Sequence, residues 1–537
     1  MRARAAWCGI FLLLGCASAY GTPAESRASW TTPHVLVISD AGDPNTLNPH
    51  FGQSAPVANL SELTMAWLVR WDTHNRPYPE LATQIPTREN GGIGADGLTI
   101  TYHLRKGVRW SDGAPFTADD VAFTTNVINN PANNEAARFT QIAKIEEPDK
   151  YTIVYRLKHP YSTFLESFFS SCCANPSILP KHLLAKYSNI NHVRYNDLPV
   201  GIGPFRFARW DRGKQVVLVA NPLYWRGRPK LNKIVYKVVP TRDALLQALS
   251  SHEVDMWYQF SGAYLRRIQA LSGYTIARQP SYAYNHLDFN LARPALADPA
   301  VRTALRLALD RKIIVRDVAN GIGIVQDSAL PVSAPYYSDL GTTAYDPARA
   351  NAILDGAGWN RINGGIRSKR GAMLRLTVAL GAGQGDTDKE VALVAEQWRR
   401  IGVDVRVRHY PSALMFAPAA QGGILYGNDW DVTLFAWAAD PMGDFSAIYG
   451  CDAFPPAGQN NVRWCNRGAQ HAMDALFAHY RQSERTADVR ALMQQFVHDV
   501  PSIVFAVRED LFAYNRDLKN YHPNNVTPFD NMMDVDI

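Results

Sequence analysis

A glycine-rich turn between two predicted strands is the segment that most suggests an enzyme. The segment GAGQG (381–385) follows the apolar strand LRLTVAL (374–380) and precedes a predicted helix from Lys389 to Ile401 and the strand VDVRV (403–407), as in a nucleotide-binding βαβ unit. In a GxGxxG pattern, however, the third glycine would fall at Asp386, which places negative charge where phosphate should bind. Asp404 also lies near the start of the next strand rather than at its end. A nucleotide-dependent enzyme is therefore only a remote alternative.

Other catalytic and metal-binding patterns are missing from the sequence. It contains no GxSxG elbow, HExxH pair, P-loop or CxxC pair. His471 and His479 are eight residues apart on a predicted helix, which is usual for solvated or packing side chains. The sequence therefore predicts no catalytic residue, no metal site and no cofactor.

The segment DVTLFAWAADPMGDF (431–445) is the better candidate for binding chemistry. A predicted buried strand, Val432 to Ala436, leads to Trp437 and Asp440, and Pro441 then opens a loop. A carboxylate in such a place can hold a buried ammonium group, since a charge-assisted hydrogen bond gives orientation and selectivity. The alternative is that Trp437 belongs to the core and Asp440 caps a turn.

Length and charge limit the class of protein. The 537 residues exceed what one hydrophobic core usually serves, so two or three domains are expected. The net charge of +6 falls by two if Arg2 and Arg4 are removed with a leader, and no concentrated basic run remains. We therefore predict no nucleic-acid partner.

The first 19 residues are predicted to be a signal peptide. Arg2 and Arg4 precede an apolar run from Ala5 to Leu14, which is too short to span a membrane. Cleavage before Tyr20 would follow the small residues at positions 17 to 19, whereas the sequence LLGC (13–16) resembles a lipobox that would make Cys16 a lipidation site. The protein is thus expected in the periplasm or at the outer face of the cytoplasmic membrane, with the membrane contacted only through a lipid anchor or a permease.

The segment DGLTITYHLRKGVRWSDGAPFTADDV (96–121) predicts a strand, a turn and a helix start in succession. Apolar and polar residues alternate from Leu98 to Arg105, which indicates a half-buried strand. The turn SDG (111–113) ends the extended run, and Thr117 can cap a helix with an acidic first turn. These signals predict one compact α/β unit.

Three later segments predict strands and helices in a similar way. LNKIVYKVVPTRDALLQALSSHEVD (231–255) reads as a strand and then a helix with leucines on one stripe. In LDFNLARPALADPAVRTALRLALDR (287–311), Asp298 is the predicted N-cap and Pro299 the first helical residue. Asp346 and Pro347 repeat that helix start ahead of ARANAILDGAGW (348–359).

Together, and in this order, the four segments resemble the family 5 extracellular solute-binding proteins, the peptide-, nickel- and oligosaccharide-binding components of ABC importers. The resemblance implies an α/β fold of the periplasmic-binding-protein type, a two-lobe clamshell with an additional inserted domain (class II, three domains). It places a discontinuous first domain at residues 33–57, 200–285 and 506–537. The inserted second domain is expected at 58–199 and the opposing lobe at 286–505.

The resemblance also implies ligand contacts. In the peptide-binding branch, the matching Trp-x-x-Asp places the tryptophan against the ligand and the aspartate on the peptide's α-ammonium group, which are the roles expected of Trp437 and Asp440. Relatives place aromatic contacts where this chain has Tyr282, Tyr284 and His286, although an aromatic strand face is more often core.

The implied function is capture of a peptide in the cleft between the lobes and delivery to an ABC transporter permease, by a monomer without chemical turnover. The alternative is the same fold binding another small solute, a metal chelate or an oligosaccharide. Leu434 is apolar where the oligopeptide branch carries an arginine near the ligand's carboxylate end, so a carboxylate clamp is not expected.

Two of the cysteines outside the leader are predicted to form a disulfide. Cys451 and Cys465 lie in the Pro- and Gly-containing segment CDAFPPAGQNNVRWC (451–465), and the dipeptide-binding branch carries a similar pair. Cys172 and Cys173 are adjacent, which disfavours an unstrained bond between them and leaves their state open.

The export hypothesis predicts a mature N-terminus at Cys16 or Tyr20. Mass analysis of the N-terminal peptide, on protein recovered from the native cell envelope, distinguishes the two routes, since an acylated Cys16 adds the mass of its lipid. Recovery of an intact Met1 would contradict both routes.

Overall fold

The structure, a computed structural model, describes residues 27–39, 43–52, 54–134, 139–171, 176–382, 385–417, 421–427 and 429–537. The predicted signal peptide (1–19), the lipidation candidate Cys16 and the adjacent Cys172 and Cys173 lie outside these ranges.

A ten-stranded mixed sheet forms the centre of the described structure. In spatial order its strands are β16 (Asp404–Tyr410), β15 (Arg375–Gly381), β17 (Val432–Ala438), β11 (Tyr274–Phe289), β18 (Ser502–Asn515), β10 (Met256–Phe260), β1 (Val35–Ser39), β9 (Lys233–Lys237), β8 (Gln215–Ala220) and β7 (Phe205–Asp211). β1 pairs in parallel with β9 and β10, whereas β11 pairs antiparallel with β17 and β18.

Strands β11 and β18 join the two halves of this sheet. Their pairing runs from Tyr274 opposite Asn515 to Asp288 opposite Ser502, and its register shifts between Pro280 and Tyr284. β10 pairs with β18 before this shift, and β17 pairs with β11 after it. A local bulge bends a strand and changes its twist. We therefore call this shift, where β11 and β18 pass from one half of the sheet to the other, the crossing.

Smaller sheets and helices surround the large sheet. The smaller sheets are β4 (Thr99–His103) with β6 (Thr152–Leu157) and β5 (Ile142–Asp149), β2 (Val69–Trp71) with β3 (Pro77–Pro79), and β12 (Asn360–Arg361) with β13 (Arg367–Lys369) and β14 (Ala372–Met373). The helices before β11 are α1 (Ala55–Thr64), α2 (Ala118–Asn129), α3 (Phe164–Ser167), α4 (Lys181–Leu184), α5 (Arg242–Ser250) and α6 (Leu265–Gln269). Those after it are α7 (Pro294–Ala297), α8 (Pro299–Leu307), α9 (Arg311–Asp317), α10 (Pro347–Gly356), α11 (Gly385–Arg400), α12 (Ser412–Met415), α13 (Ser446–Tyr449), α14 (Arg467–Ala478) and α15 (Gln482–Asp499).

The helix starts read from the sequence are present in the structure. Asp298 accepts a hydrogen bond from the Ala300 amide (2.9 Å) at the start of α8. Asp346 accepts one from the Arg349 amide (2.9 Å) at the start of α10. In both helices proline occupies the first turn, where its missing amide hydrogen costs nothing. Local chemistry therefore sets these boundaries.

Two predicted elements have different bounds in the structure. α11 begins at Gly385 instead of Lys389, and its first turn contains Asp386 and Asp388, whose charges suit the positive end of a helix dipole. β17 continues to Ala438, so Trp437 lies on the strand and not in the loop that follows it. Pairing with β11 as far as Ala438 explains the longer strand.

Separate hydrophobic cores lie in different parts of the fold. One includes Leu305 and Trp398, between the sheet and helices α8 and α11. A second includes Tyr236 in the opposite half of the large sheet, and a third includes Tyr102 and Phe164 around the β4–β6–β5 sheet. Several cores are what a chain of this length requires. The domain boundaries read from the sequence remain a prediction.

The predicted disulfide is present in the structure. Cys451 and Cys465 are bonded, with their Cα atoms 4.7 Å apart. The bond closes the loop between α13 and α14, and that loop carries the buried Asn460, whose amide donates to the carbonyls of Gly450 and Trp464 (2.8 Å each). The bridge and these hydrogen bonds hold the two helix ends together.

Replacing Cys451 and Cys465 together by serine is expected to lower the free energy of unfolding by about 3 kcal/mol, because the closed loop restricts the unfolded chain. Chemical denaturation of both proteins measures the difference. Non-reducing peptide mapping is the companion measurement. Free thiols at both positions in oxidised, folded protein would contradict the assignment.

Candidate functional site

Strand β17 aligns the predicted aromatic residues with those of β11. Trp437 is the direct neighbour of Tyr284, and Phe435 is the neighbour of His286. Directly opposed residues of an antiparallel pair present their side chains on the same face of the sheet. The pairing therefore brings the aromatic residues of two distant segments onto one surface.

His286 lies at the centre of this aromatic surface. Its ring centroid is 4.4 Å from that of Phe435 and 6.4 Å from that of Trp437, to which it is nearly parallel. Its Nδ1 is 2.8 Å from a carboxylate oxygen of Asp288. Tyr284 and His286 are both fully buried, so in this conformation they lie beneath the surface and pack against Trp437.

Trp437 is partly exposed, and its indole N–H is buried without an acceptor among the described residues. An unpaired indole N–H beside a partly exposed ring is a donor that a bound molecule could satisfy.

Tyr282 lies next to these aromatic residues on β11. Its backbone carbonyl accepts a hydrogen bond from the Ala439 amide (2.9 Å), which directly precedes Asp440.

A tight turn fixes Asp440 directly after the strand. The Gly443 amide donates to the Asp440 carbonyl (3.0 Å), and the Met442 amide donates to the Asp440 carboxylate (2.7 Å). Pro441 occupies the second position of the turn, as turn chemistry favours. Gly443 has a φ of +76°, and a Cβ there would approach the side chain of Val489 to 2.7 Å. The turn formed by DPMG (440–443) therefore fixes the orientation of the Asp440 carboxylate.

The electrostatic environment of Asp440 disfavours a negative charge. Burial, followed by the nearby carboxylates of Asp444 and Glu166, raises the pKa of Asp440 to about 7, while the amides of Met442 and Asp444 oppose the shift. A carboxyl held in this way is only partly ionised at neutral pH. A cation bound at Asp440 would therefore offset the free-energy cost of ionising this carboxyl.

A buried ion pair lies next to Asp440. Arg485 on α15 and Glu166 on α3 approach to 3.5 Å, and both side chains are almost fully buried. Arg485 also stacks over the ring of Tyr336 (4.7 Å), yet its Nε and Nη2 have no hydrogen-bond partner among the described residues. Burial works against the charge of Arg485, but Glu166, Tyr336 and Asp440 hold its pKa above the usual range. Asp440 is thus surrounded by two further acids, Asp444 and Glu166, and by one arginine, Arg485.

The segment before α3 is fixed to the α14–α15 connection by several hydrogen bonds. The Ser162 amide donates to the Phe477 carbonyl (3.0 Å), and its hydroxyl donates to the Leu476 carbonyl (2.6 Å). The Tyr480 hydroxyl accepts a hydrogen bond from the Tyr161 amide (3.0 Å) and donates one to the Gly97 carbonyl (2.9 Å). These contacts join residues predicted for the inserted domain to residues predicted for the opposing lobe.

A cavity of about 400 Å³ lies beside the crossing strands. It is lined from one side by the end of β10 around Gln259, and from the other by β17 and α11. The charged side chains that line it include Glu390, Arg508 and Asp510. Its size falls within the usual range for sites that hold small ligands.

The wall of this cavity includes an open strand edge. β15 pairs with β17 only at Val432 and Thr433, whereas β11 pairs with it as far as Ala438. Since Ala439 bonds to Tyr282, the alternation of an antiparallel ladder points the peptide groups of Ala436 and Ala438 away from β11. Both alanines are exposed, and among the described residues neither the ladder with β15 nor any turn or loop hydrogen bond engages their peptide groups. This edge can accept a further extended chain.

The structure thus brings the sequence-predicted residues Trp437, Asp440, Tyr282, Tyr284 and His286 into one region. Sequence reasoning missed the residues that set its electrostatics, namely Glu166, Arg485, Tyr336, Glu390 and Asp510. These residues are distant in sequence from the motif, and no local pattern indicates them. Among the residues that the structure describes, no group of three or more metal-ligating side chains occurs, and no helix is long and apolar enough to cross a membrane.

Comparisons with known proteins agree with this architecture. The model of the "Bacterial extracellular solute-binding proteins, family 5 Middle" matches residues 76–454. The oligopeptide-binding protein AppA of Bacillus subtilis (strain 168) is 24% identical over 526 residues, which cover 95% of this chain and 94% of AppA.

Solved structures show the same fold. The structure of AppA from Bacillus subtilis in complex with a nonapeptide has a TM-score of 0.68 at 23% identity and covers 93% of this chain and 98% of AppA. NikZ from Campylobacter jejuni in complex with Ni(L-His) has a TM-score of 0.71 at 24% identity, covering 94% of this chain and 100% of NikZ. The predicted fold class, a periplasmic-binding-protein-like α/β clamshell, is confirmed.

Asp440→Asn is expected to stabilise the ligand-free protein increasingly as pH rises. Because the folded-state pKa is raised to about 7, the wild-type folded state holds this proton more firmly than the unfolded state, and its stability falls between about pH 4 and pH 7. Asparagine keeps the acceptor for the Met442 amide and does not ionise. The stability difference should grow by roughly 2 kcal/mol from pH 5 to pH 8, after allowance for partial hydration. Thermal and urea unfolding at both pH values measure it; a constant difference would contradict the raised pKa.

Proposed function

The chain belongs to the bacterial extracellular solute-binding proteins, family 5, and we propose that it captures peptides outside the cytoplasm for delivery to an ABC transporter permease. The observation that carries this proposal is the carboxyl of Asp440, which forms no ion pair among the described residues, is oriented by a tight turn and is raised in pKa by burial and by two neighbouring acids. A peptide's α-ammonium group supplies the missing positive charge. The relative named oligopeptide-binding protein supports the same ligand class.

The backbone of the peptide would pair with the open edge of β17. Ala436 and Ala438 offer unpaired peptide groups next to a cavity, and strand addition uses main-chain hydrogen bonds that do not depend on the side chains of the ligand. An extended peptide with its ammonium at Asp440 would run antiparallel to β17 towards Ala436. This arrangement gives affinity for many sequences and orientation through one charge.

The aromatic residues would have different roles in this site. Trp437 and Tyr282 lie next to Asp440 and would contact the first residue of the ligand. Tyr284 and His286 are buried, and they would hold Trp437 in place from behind. The unpaired indole N–H of Trp437 offers a hydrogen bond to a ligand oxygen.

Binding would be coupled to movement of the two halves. A ligand favours a closed form only to the extent that it contacts both sides better in that form. The proposed contacts satisfy this condition, because Asp440 follows β17 while the cavity is also lined by residues at the end of β10. The protein would act as a monomer without chemical turnover, and Cys16 would carry a lipid anchor if the lipobox route is used.

The proposal predicts that Asp440→Asn weakens binding of a tetra-alanine peptide with a free amino terminus by roughly 2 to 5 kcal/mol, because the ammonium group then loses its counter-charge in a poorly hydrated site. Acetylating the peptide's amine should weaken wild-type binding strongly and mutant binding little. Isothermal titration calorimetry on the four combinations gives the coupling energy.

Asp474→Asn is the matched control, since it removes the same charge from an exposed position on α14, where the carboxylate only accepts a hydrogen bond from Gln470 (2.8 Å). It should leave both affinities unchanged. Equal losses on acetylation in wild type and Asp440→Asn would show that Asp440 does not recognise the amine, and a non-peptide solute would then become the better candidate.

A further inference from the structure

Glu390 is a buried acid that the amino-terminal contact does not explain. It lies on α11, lines the cavity beside β17 and is only 5% exposed. Asn285 donates to one of its carboxylate oxygens (3.2 Å), and the other accepts no hydrogen bond from the described residues. Among those residues, no Lys, Arg or His nitrogen lies within ion-pair distance of it. A carboxyl that is removed from water and aimed into a cavity is suited to a ligand cation.

Asp510 faces the same cavity from the other side of the crossing. It lies on β18 opposite Gln279, before the register shift, whereas Glu390 belongs to the half that contains β17. Burial raises the pKa of Asp510 to about 6, against hydrogen bonds from Ser281 and Gln259 and the charge of Arg508. Burial raises the pKa of Glu390 to about 7, against the hydrogen bond from Asn285 and the charge of Arg508. Neither acid forms an ion pair with Arg508 in the described structure, so each side of the cavity has a carboxyl without an ion-pair partner among the described residues.

The other charged side chains of the cavity are better hydrated or already engaged. Arg242 and Arg508 are exposed and can turn to solvent. Asp386 is exposed and pairs with Lys389 (3.1 Å), and Glu509 accepts a hydrogen bond from the Gly323 amide (2.8 Å). The buried charge in the cavity is therefore negative, whereas its arginines are exposed, so the buried acids favour a ligand cation over a ligand carboxylate.

The position of the cavity relative to Asp440 fixes which part of a peptide reaches it. Ala436 lines the cavity and precedes Asp440 by four residues, which corresponds to about 13 Å along a strand. A peptide that begins at Asp440 and runs along β17 would pass the cavity with its second to fourth residues. A side chain from that part of the ligand is the group that can enter.

We propose that this cavity is a subsite for a cationic side chain, lysine or arginine, at the second to fourth position of the bound peptide, with Glu390 and Asp510 as its counter-charges. The inference rests on the proposed peptide-binding function and names the preferred substrate class. Since the two acids lie on opposite sides of the crossing, the cation also bridges the two halves. Basic peptides would then favour the closed form more than neutral ones.

Calorimetry with tetra-alanine peptides that carry lysine at position two, three or four, each compared with the norleucine peptide of the same length, tests the proposal. Wild-type protein should bind the lysine peptide at least tenfold more tightly than its norleucine counterpart at one of these positions. Glu390→Gln, which can keep the hydrogen bond from Asn285, and Asp510→Asn should each reduce this preference to below threefold. Asp388→Asn, on the same helix but exposed and outside the cavity, should keep the full preference.

Absence of a lysine preference at all three positions, or its survival in the Glu390→Gln/Asp510→Asn double variant, would overturn the proposal. Thermal unfolding confirms that each variant is folded. The result is separable from the amino-terminal test: loss of the lysine preference with normal dependence on a free amine rejects only the subsite. Failure of every peptide to bind rejects both the subsite and the peptide function.

Discussion

The pairing of β11 with β18 is the constraint on which the rest of the structure depends. These strands have 16 and 14 residues and are common to both halves of the large sheet. β17 is positioned by β11, so the placement of Trp437 and Asp440 follows from this ladder. Its register shifts between Pro280 and Tyr284 and again between Asn285 and His286, beside residues that line the cavity. Under the proposed function, a bulge at this place would let the two halves change their relative angle while the outer pairs stay intact.

The second theme of the structure is a set of largely buried carboxyls that form no ion pair with any described residue. Asp440, Glu390 and Asp510 all have pKa values raised mainly by burial, to about 7, 7 and 6. Because their pKa values are raised, these groups can take up protons and so avoid part of the cost of an unpaired buried anion. Under the proposed function, a cationic ligand would shift each of them back towards the charged form. Ionising these carboxyls without a bound cation costs stability, which is the expected trade between stability and function.

The sequence predicts the features that depend on neighbours along the chain. The helix starts at Pro299 and Pro347 follow from capping and from the fixed backbone of proline, and the structure has them at those residues. The Trp-x-x-Asp site follows from the family resemblance and not from periodicity. Contacts between distant segments could not be read in this way: Arg485 and Glu166 are 319 residues apart, and the length of β17 depends on β11. The electrostatics of the site, which decides its proposed ligand, belongs to this second group.

The energetics explain why two cationic contacts would serve better than one. Moving a two-state equilibrium from mostly open to mostly closed takes about 5.5 kcal/mol of differential binding. A hydrogen bond to a charged group contributes roughly 1.5 to 3 kcal/mol, so the ammonium contact at Asp440 cannot supply that amount alone. Main-chain pairing with β17 is made within one half and adds affinity without distinguishing the two forms. In the proposal, a second cation held between Glu390 and Asp510 would contact both halves, and its roughly 1.5 to 3 kcal/mol would raise the differential binding of a basic peptide towards that amount.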